Sequence, residues 1–324
     1  MSSILRSKEL AVFILFVVVF AFFTMQTERF AAPDNLFNVA RQYSELAVVS
    51  VGLTMVIITG GIDISVGSVV GLSSVLVGVL SSILGLNIWV SCVIAVFAGL
   101  GCGLINGLFI TKAKLQPIVV TLAMMSAARG LAYVLTRGSS ISGFPDAFAA
   151  LGQKAIGPIP WIGYIPLPVF IALILVMLGV LLLRRTALGR GIYAVGASEE
   201  ASRLSGINVF RIKLFAYSFT GLLCGLGGVM MAARLVSSVP DAGANFEFEA
   251  ITAVVMGGSS LRGGEGNITG TIIGVGVMAI LRNGLNLIGV PDIWQGLFLG
   301  VVLILAVLAD NLRNALRERL KLQF

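Results

Sequence analysis

The chain contains no histidine, only three cysteines and few charges: Asp, Glu, Lys and Arg together make up 11% of its 324 residues. Cys92, Cys102 and Cys224 stand singly inside apolar stretches. Without histidine or paired cysteines there is no ligand spacing for a metal and no disulfide framework. No acid–base constellation suits a membrane-embedded enzyme either. Neither a metal nor a cofactor is expected. A G-x-x-x-x-G-K-[ST] phosphate loop is also missing from the sequence, so any ATP hydrolysis serving this protein belongs to another subunit. Ordinary soluble domains carry about 25% charged residues, and the shortage here excludes a water-soluble globule.

What is abundant is apolar surface, with 57% of residues hydrophobic. Apolar runs at 10–27, 43–59, 64–84, 89–110, 115–136, 166–183, 214–234, 249–259, 267–288 and 292–309 each read as a helix. A bilayer span needs roughly 20 mostly apolar residues. The expected fold is therefore all-α, a polytopic membrane protein with about ten transmembrane helices. Some of these are broken or short, and all lie in a single membrane domain over 1–324. The run at 249–259 is too short to cross alone and is expected to be broken or tilted. Leu10–Met25 follows Arg6 and Lys8 with no small-residue cleavage site after it, so it reads as a first span rather than a signal peptide.

The formal net charge of +7 does not point to nucleic acid, because the basic residues are scattered between apolar runs. With an inside N-terminus, fifteen Lys and Arg fall on inside segments, among them Arg6, Lys112, Lys114, Arg184, Arg211 and Arg262. Only five fall outside: Arg29, Arg41, Arg137, Lys154 and, at a boundary, Arg234. By the positive-inside rule both termini should be cytoplasmic. The Gly- and Pro-rich stretch 137–165 should then lie outside and the basic stretch 184–213 inside. Trp89, Trp161, Tyr164 and Trp294 fall near predicted helix ends, where amphipathic rings favour the membrane interface.

Glycines recur at four-residue intervals, at Gly67 and Gly71, Gly99 to Gly107, Gly221 and Gly225, Gly266 to Gly274, and Gly296 and Gly300. This spacing lets helix backbones approach closely in lipid and reads as packing seams. The segments Gly60–Gly67 and Gly257–Gly264 echo one another, each opening with a Gly pair and leading into a Gly-spaced helix. Such Gly-interrupted segments in matching places of two halves point to a transport pathway.

Residues 197–207 read as a short helix on the inside. Ser198 is its N-cap, Glu199 and Glu200 suit the positive end of its dipole, Arg203 lies in its last turn, and Gly206 stops it. Two turns are not stable alone in water, so this helix needs something to dock against, either a partner subunit on the inside or the basic loop of its own chain.

The run containing it, GRGIYAVGASEEASRLSGI at 189–207, resembles the cytoplasmic coupling loop of the ribose-type sugar permeases of bacterial ABC importers. Four further segments resemble the same family in the same order. They are GGIDISVGSVVGLSS at 60–74, the stretch 105–138, MGGSSLRGGEGNITGTIIG at 256–274 and the stretch 281–310. Family members often carry Asn after AVG, where this chain has Ala197.

The resemblance implies an all-helical permease of the bacterial inner membrane that pairs with a second copy or a paralogue. It implies a cytoplasmic ABC ATPase docked through Ser198, Glu199, Glu200, Arg203 and Gly206. It also implies sugar delivery by a periplasmic or lipid-anchored sugar-binding protein. Ribose and other pentoses lead as substrates, followed by galactose-like hexoses, rhamnose and autoinducer-2.

Ionisable groups near a bilayer centre cost about 2.5 to 3.5 kcal/mol each on insertion scales. Asp63, Arg129 and Arg282 are the candidates. Asp63 either caps the helix that follows it or meets a ligand, and the arginines either pair with carboxylates, snorkel or line a path. A neutral sugar is held by hydrogen bonds and aromatic faces. The candidate translocation path is accordingly Asp63, Ser65, Asn106, Arg129, Tyr133, Asn283 and Gln295, with Asn286 nearby. The same polar side chains equally serve as glue between helices. The competing reading, an ion-coupled secondary transporter, requires carboxylates inside helices, and Asp63 is the clear one in the sequence.

Overall fold

In the computed structural model the described residues are 2–159, 163–291 and, between 293 and 308, all but 299, 303 and 306. The first five helices are α1 (Ser2–Gln26), α2 (Pro33–Ile58), α3 (Val66–Gly78), α4 (Ile88–Thr111) and α5 (Pro117–Thr136), with α3 continuing to Ile83 as a π-helical turn. After α6 (Asp146–Gln153) come the strands β1 (Ala155–Ile159) and β2 (Gly163–Pro166). These form an antiparallel hairpin with Ala155 opposite Pro166. The chain continues through α7 (Leu167–Arg185), α8 (Ala187–Ala197), α9 (Glu199–Leu204), α10 (Val209–Leu235), α11 (Phe246–Met256) and α12 (Ile268–Leu287). The described residues from 293 to 308 are also helical.

The protein is thus a nearly all-helical polytopic membrane protein. Among the described residues, 8 helices are long and apolar enough to cross a bilayer. Two of the expected runs fall short of that standard. The run at 249–259 is the 11-residue α11, and the run at 292–309 lies partly outside the described residues.

Helix boundaries follow local chemistry. Pro33 and Pro117 open α2 and α5, where the missing N–H costs nothing. The side chains of Asn87, Thr186, Asn208 and Asn267 accept backbone N–H groups at the starts of α4, α8, α10 and α12. The start of α2 lies well ahead of the apolar run at 43–59. Its polar first turns stay helical because Asn35 and Asn283 hydrogen-bond each other at 2.9 and 3.1 Å and Arg41 bonds Asn38 at 3.0 Å.

The core is built around α2 and α10. In α2, 83% of the candidate span is buried, against 11% in α1 and 22% in both α5 and α7, so α2 is central and the others form the apolar exterior. Residues of α2 belong to two separate core clusters, one with α3, α11 and α12 and the other with α7, α8 and α10. The glycine seams are real. A Cβ on Gly99 would lie 2.5 Å from Gly221 O, and one on Gly221 would lie 2.8 Å from the Cα of Gly103. Only glycine lets α4 and α10 come this close. The pair Gly296 and Gly300 meets nothing within 4 Å among the described residues.

Contacts sort the loops into two ends. At one end Lys112 lies over the ring of Phe210 (5.9 Å), Lys213 pairs with Glu199, and Arg184 reaches Thr269 at 3.4 Å. At the other, Ile141 pairs through its backbone with Ser238, and Glu45 meets Arg234. Trp89, Tyr164 and Trp294 are exposed, whereas Trp161 lies outside the described residues.

Candidate translocation and coupling site

The echo between Gly60–Gly67 and Gly257–Gly264 is structural. Helix α2 ends at Ile58 and α11 at Met256, each followed by a Gly pair and a non-helical stretch. The two stretches face each other, with Gly264 N–H donating to Ile58 O at 2.8 Å. Helix α8 closes over both: the Tyr193 hydroxyl donates to Gly266 O at 2.8 Å, and Gly196 abuts Ile58 and Gly264.

Beneath this junction the first break is tethered by a buried polar chain. Asp63 Oδ1 accepts the Ser65 N–H (2.9 Å) and hydroxyl (2.6 Å), and Asn106 Nδ2 of α4 donates to Ser65 Oγ at 3.1 Å. The carboxylate therefore turns the backbone into the start of α3, a local side-chain-to-backbone bond of the kind that begins helices. Tyr217 of α10 presses its hydroxyl against Gly61. Among the described residues, neither that hydroxyl nor Asn106 Oδ1 has a hydrogen-bond partner in the chain. Buried polar atoms are normally satisfied, and a water or small polar group bound at either atom would complete its hydrogen bonding.

Of the seven path candidates, the structure brings Asp63, Ser65 and Asn106 together. The other four make their contacts elsewhere. Arg129 of α5 donates to Pro240 O (2.9 Å) and Ala242 O (2.8 Å), tying α5 to the segment before α11, whose Ala242 O lies against Gly71 of α3. Tyr133 is 45% exposed on the outside of α5. Asn283 pairs with Asn35, and Gln295 bonds Asn286 and Val290 O.

Sequence reasoning singled out Asp63 as the one clear intramembrane carboxylate, and the structure corrects this. Glu45 is fully buried in α2, with Arg234 bonding it at 2.7 and 3.3 Å. Glu249 pairs with Arg282 between α11 and α12. Glu247 is buried at the start of α11 with its Oε2 unpartnered among the described residues. A signal was available: Glu45 and Glu249 sit inside two of the apolar runs, and Arg234 and Arg282 needed counter-charges. Among the described residues no group of three or more His, Cys, Asp or Glu side chains comes together that could hold a metal ion.

The basic stretch 184–213 is largely helical rather than one short helix in a loop. Helix α8 buries Ile192 and Val195, and α9 follows after Ser198. The Ser198 hydroxyl accepts Ala201 N–H at 3.2 Å. Gly206 adopts φ +81, while Gly206 N bonds Arg203 O and Ile207 N bonds Ser202 O, a Schellman-type stop. Glu199 is engaged by Lys213. Glu200, Arg203 and Leu204, the last 84% exposed, form its open face.

These features fit what the chain resembles. A family model described as branched-chain amino acid transport system / permease component matches residues 35–307. The ribose import permease protein RbsC of Escherichia coli (strain K12) is 42% identical over 302 residues, covering 92% of both chains. The protein of that name from Bacillus subtilis (strain 168) is 40% identical over 307 residues, covering 94% of this chain and 92% of its own. The xylose transport system permease protein XylH of Escherichia coli (strain K12) is 31% identical over 366 residues, with 95% and 93% covered. No solved structure matches the chain. A match over nearly the whole length, on a multi-pass helical membrane fold, places the chain in the permease-component family of branched-chain amino acid transport systems.

Proposed function

We propose that the chain is the membrane-spanning subunit of an ATP-driven monosaccharide importer, with ribose or a similar pentose as the favoured cargo. In this reading residues 1–324 form one permease domain of the bacterial inner membrane with both termini cytoplasmic. A second permease copy or paralogue completes the pathway, a separate ABC ATPase supplies the energy, and a sugar-binding protein delivers cargo from outside. The observation that carries the reading is the 42% identity to a ribose import permease over 92% of both chains. Ribose is preferred over xylose because the xylose relative is more distant, at 31%.

The geometry supplies a working scheme. ATP binding draws two motor subunits together, and the exposed face of α9 takes up their movement. The basic end then opens or closes at the paired breaks after α2 and α11. A motor has leverage only if it binds the two states with different affinity, and α9 is the element on which that difference acts. Two of the buried carboxylates, Glu45 and Glu249, are paired with Arg234 and Arg282, which removes these two as free ion-coupling groups and leaves Asp63 and Glu247 as the carboxylates an ion-driven reading would need.

Copurification tests the proposal. The tagged chain from native membranes should bring an ATPase with it, and Glu200→Arg combined with Arg203→Glu should release that ATPase. Glu199 is left intact in this variant because Lys213 holds it within the chain. A chain that arrives alone and moves solute into vesicles without ATP overturns the importer reading in favour of ion coupling.

A further inference from the structure

Three segments from distant parts of the sequence meet backbone to backbone at the basic end of the bundle. They are the end of α2 with Gly60, the end of α8 with Gly196, and residues 263–266 between α11 and α12. A Cβ on Gly196 would run into Ile58 O and lie 2.5 Å from Gly264 N. One on Gly263 would lie 2.9 Å from Gly196 O and from the N and Cα of Gly60. Every atom named is backbone, so no side-chain rotation relieves the contact. Two hydrogen bonds cross the same point, Gly264 N–H to Ile58 O and the Tyr193 hydroxyl to Gly266 O, both at 2.8 Å.

We propose that this junction is the relay by which movement of α9 reaches both broken elements at once, with Gly196 as its positioning residue. Only Ser198 separates α9 from α8, so a displacement of the docked helix is handed directly to Gly196 and Ala197. Packed interiors transmit strain rather than absorbing it. With no side chain between the three backbones there is no compliant layer, and the end of α2 and the 257–267 stretch move together. The buried Asp63, Ser65 and Asn106 chain extends the same movement to α4.

A second route leaves α9 through the Glu199–Lys213 ion pair to α10. The Glu199 side chain is 48% exposed and that of Lys213 14%, and a single ion pair with one solvated end yields more readily than a backbone junction, so this route carries the smaller share. The relay rests on the importer reading, because without a motor nothing displaces α9.

The test compares wild type, Gly196→Ala, Tyr193→Phe and Lys213→Ala in proteoliposomes containing the copurified ATPase and the sugar-binding protein. The readout is ribose moved per ATP hydrolysed, with the amount of ATPase retained measured alongside. Gly196→Ala is expected to lower the ratio about fivefold or more while retaining as much ATPase as wild type. Tyr193→Phe removes one hydroxyl and adds nothing that clashes, and should lower the ratio in the same direction by a smaller factor. Lys213→Ala should stay closest to wild type.

An unchanged ratio in both Gly196→Ala and Tyr193→Phe overturns the relay, as does a larger loss in Lys213→Ala than in either. If Gly196→Ala does not reach the membrane, Tyr193→Phe decides alone, and a wild-type ratio there overturns the relay. Wild-type protein that retains no ATPase and moves ribose without ATP overturns the importer reading itself, and the relay with it.

Discussion

At the residue scale, stability in this chain depends on how a few polar side chains are satisfied where water is scarce. Glu45 is fully buried and held by Arg234. Removing one member of such a pair leaves the other uncompensated, which typically costs about 3 to 5 kcal/mol, whereas replacing both by apolar groups of similar volume is often neutral. Glu45→Leu should therefore lower the unfolding temperature of the detergent-solubilised protein sharply. Glu45→Leu with Arg234→Met should recover most of the loss, as read by differential scanning fluorimetry. Asp63 differs in being held by neutral donors, the Ser65 N–H and hydroxyl. Asp63→Ala strands both and should cost about 1 to 3 kcal/mol. Asp63→Asn keeps an acceptor oxygen and should cost less in the same assay.

At the element scale, two devices set the geometry. The first is the α4–α10 seam, where a Cβ on Gly103 would lie 3.0 Å from the Cα of Gly221. Gly103→Val forces the helices apart. Overpacking of this kind costs about 1 to 3 kcal/mol, and the fraction of monodisperse protein in size-exclusion chromatography should fall. The second is the capping of α9. With six residues it has almost no intrinsic stability and relies on Ser198 and on Gly206 at φ +81. Ser198→Ala should cost about 1 kcal/mol of local stability, seen as faster hydrogen exchange over 199–207 and weaker ATPase retention.

At the scale of the whole molecule, the two ends are chemically distinct. The basic segments around Lys112, Arg184, Lys213 and Arg262 converge where the breaks after α2 and α11 meet. The hairpin β1–β2 belongs to the stretch expected on the opposite side. In inside-out and right-side-out vesicles, Leu204→Cys should react with a membrane-impermeant maleimide only from the cytoplasmic face and Tyr164→Cys only from the periplasmic face. Cys92 and Cys224 are buried in the bundle, so they should contribute little background. The opposite labelling pattern would reverse the proposed orientation.

Much of this was legible without coordinates, because a bilayer is an unforgiving solvent. Apolar runs and glycine spacing determine that the chain is a multi-pass helical protein, and the distribution of Lys and Arg gives the orientation that the labelling experiment tests. Ser198 and Gly206 announced α9 because caps are local chemistry within a few residues of one another. The tertiary structure alone decided what depends on partners remote in sequence. It set the early start of α2, where Asn35 finds Asn283, and the burial of Glu45 against Arg234. It moved Arg129, Tyr133, Asn283 and Gln295 away from the Asp63 cluster. It also brought the end of α8 against both broken elements. Local propensity and hydropathy are carried by each stretch of sequence by itself, whereas satisfaction of a buried polar group and contact between backbones exist only once distant segments have been packed together.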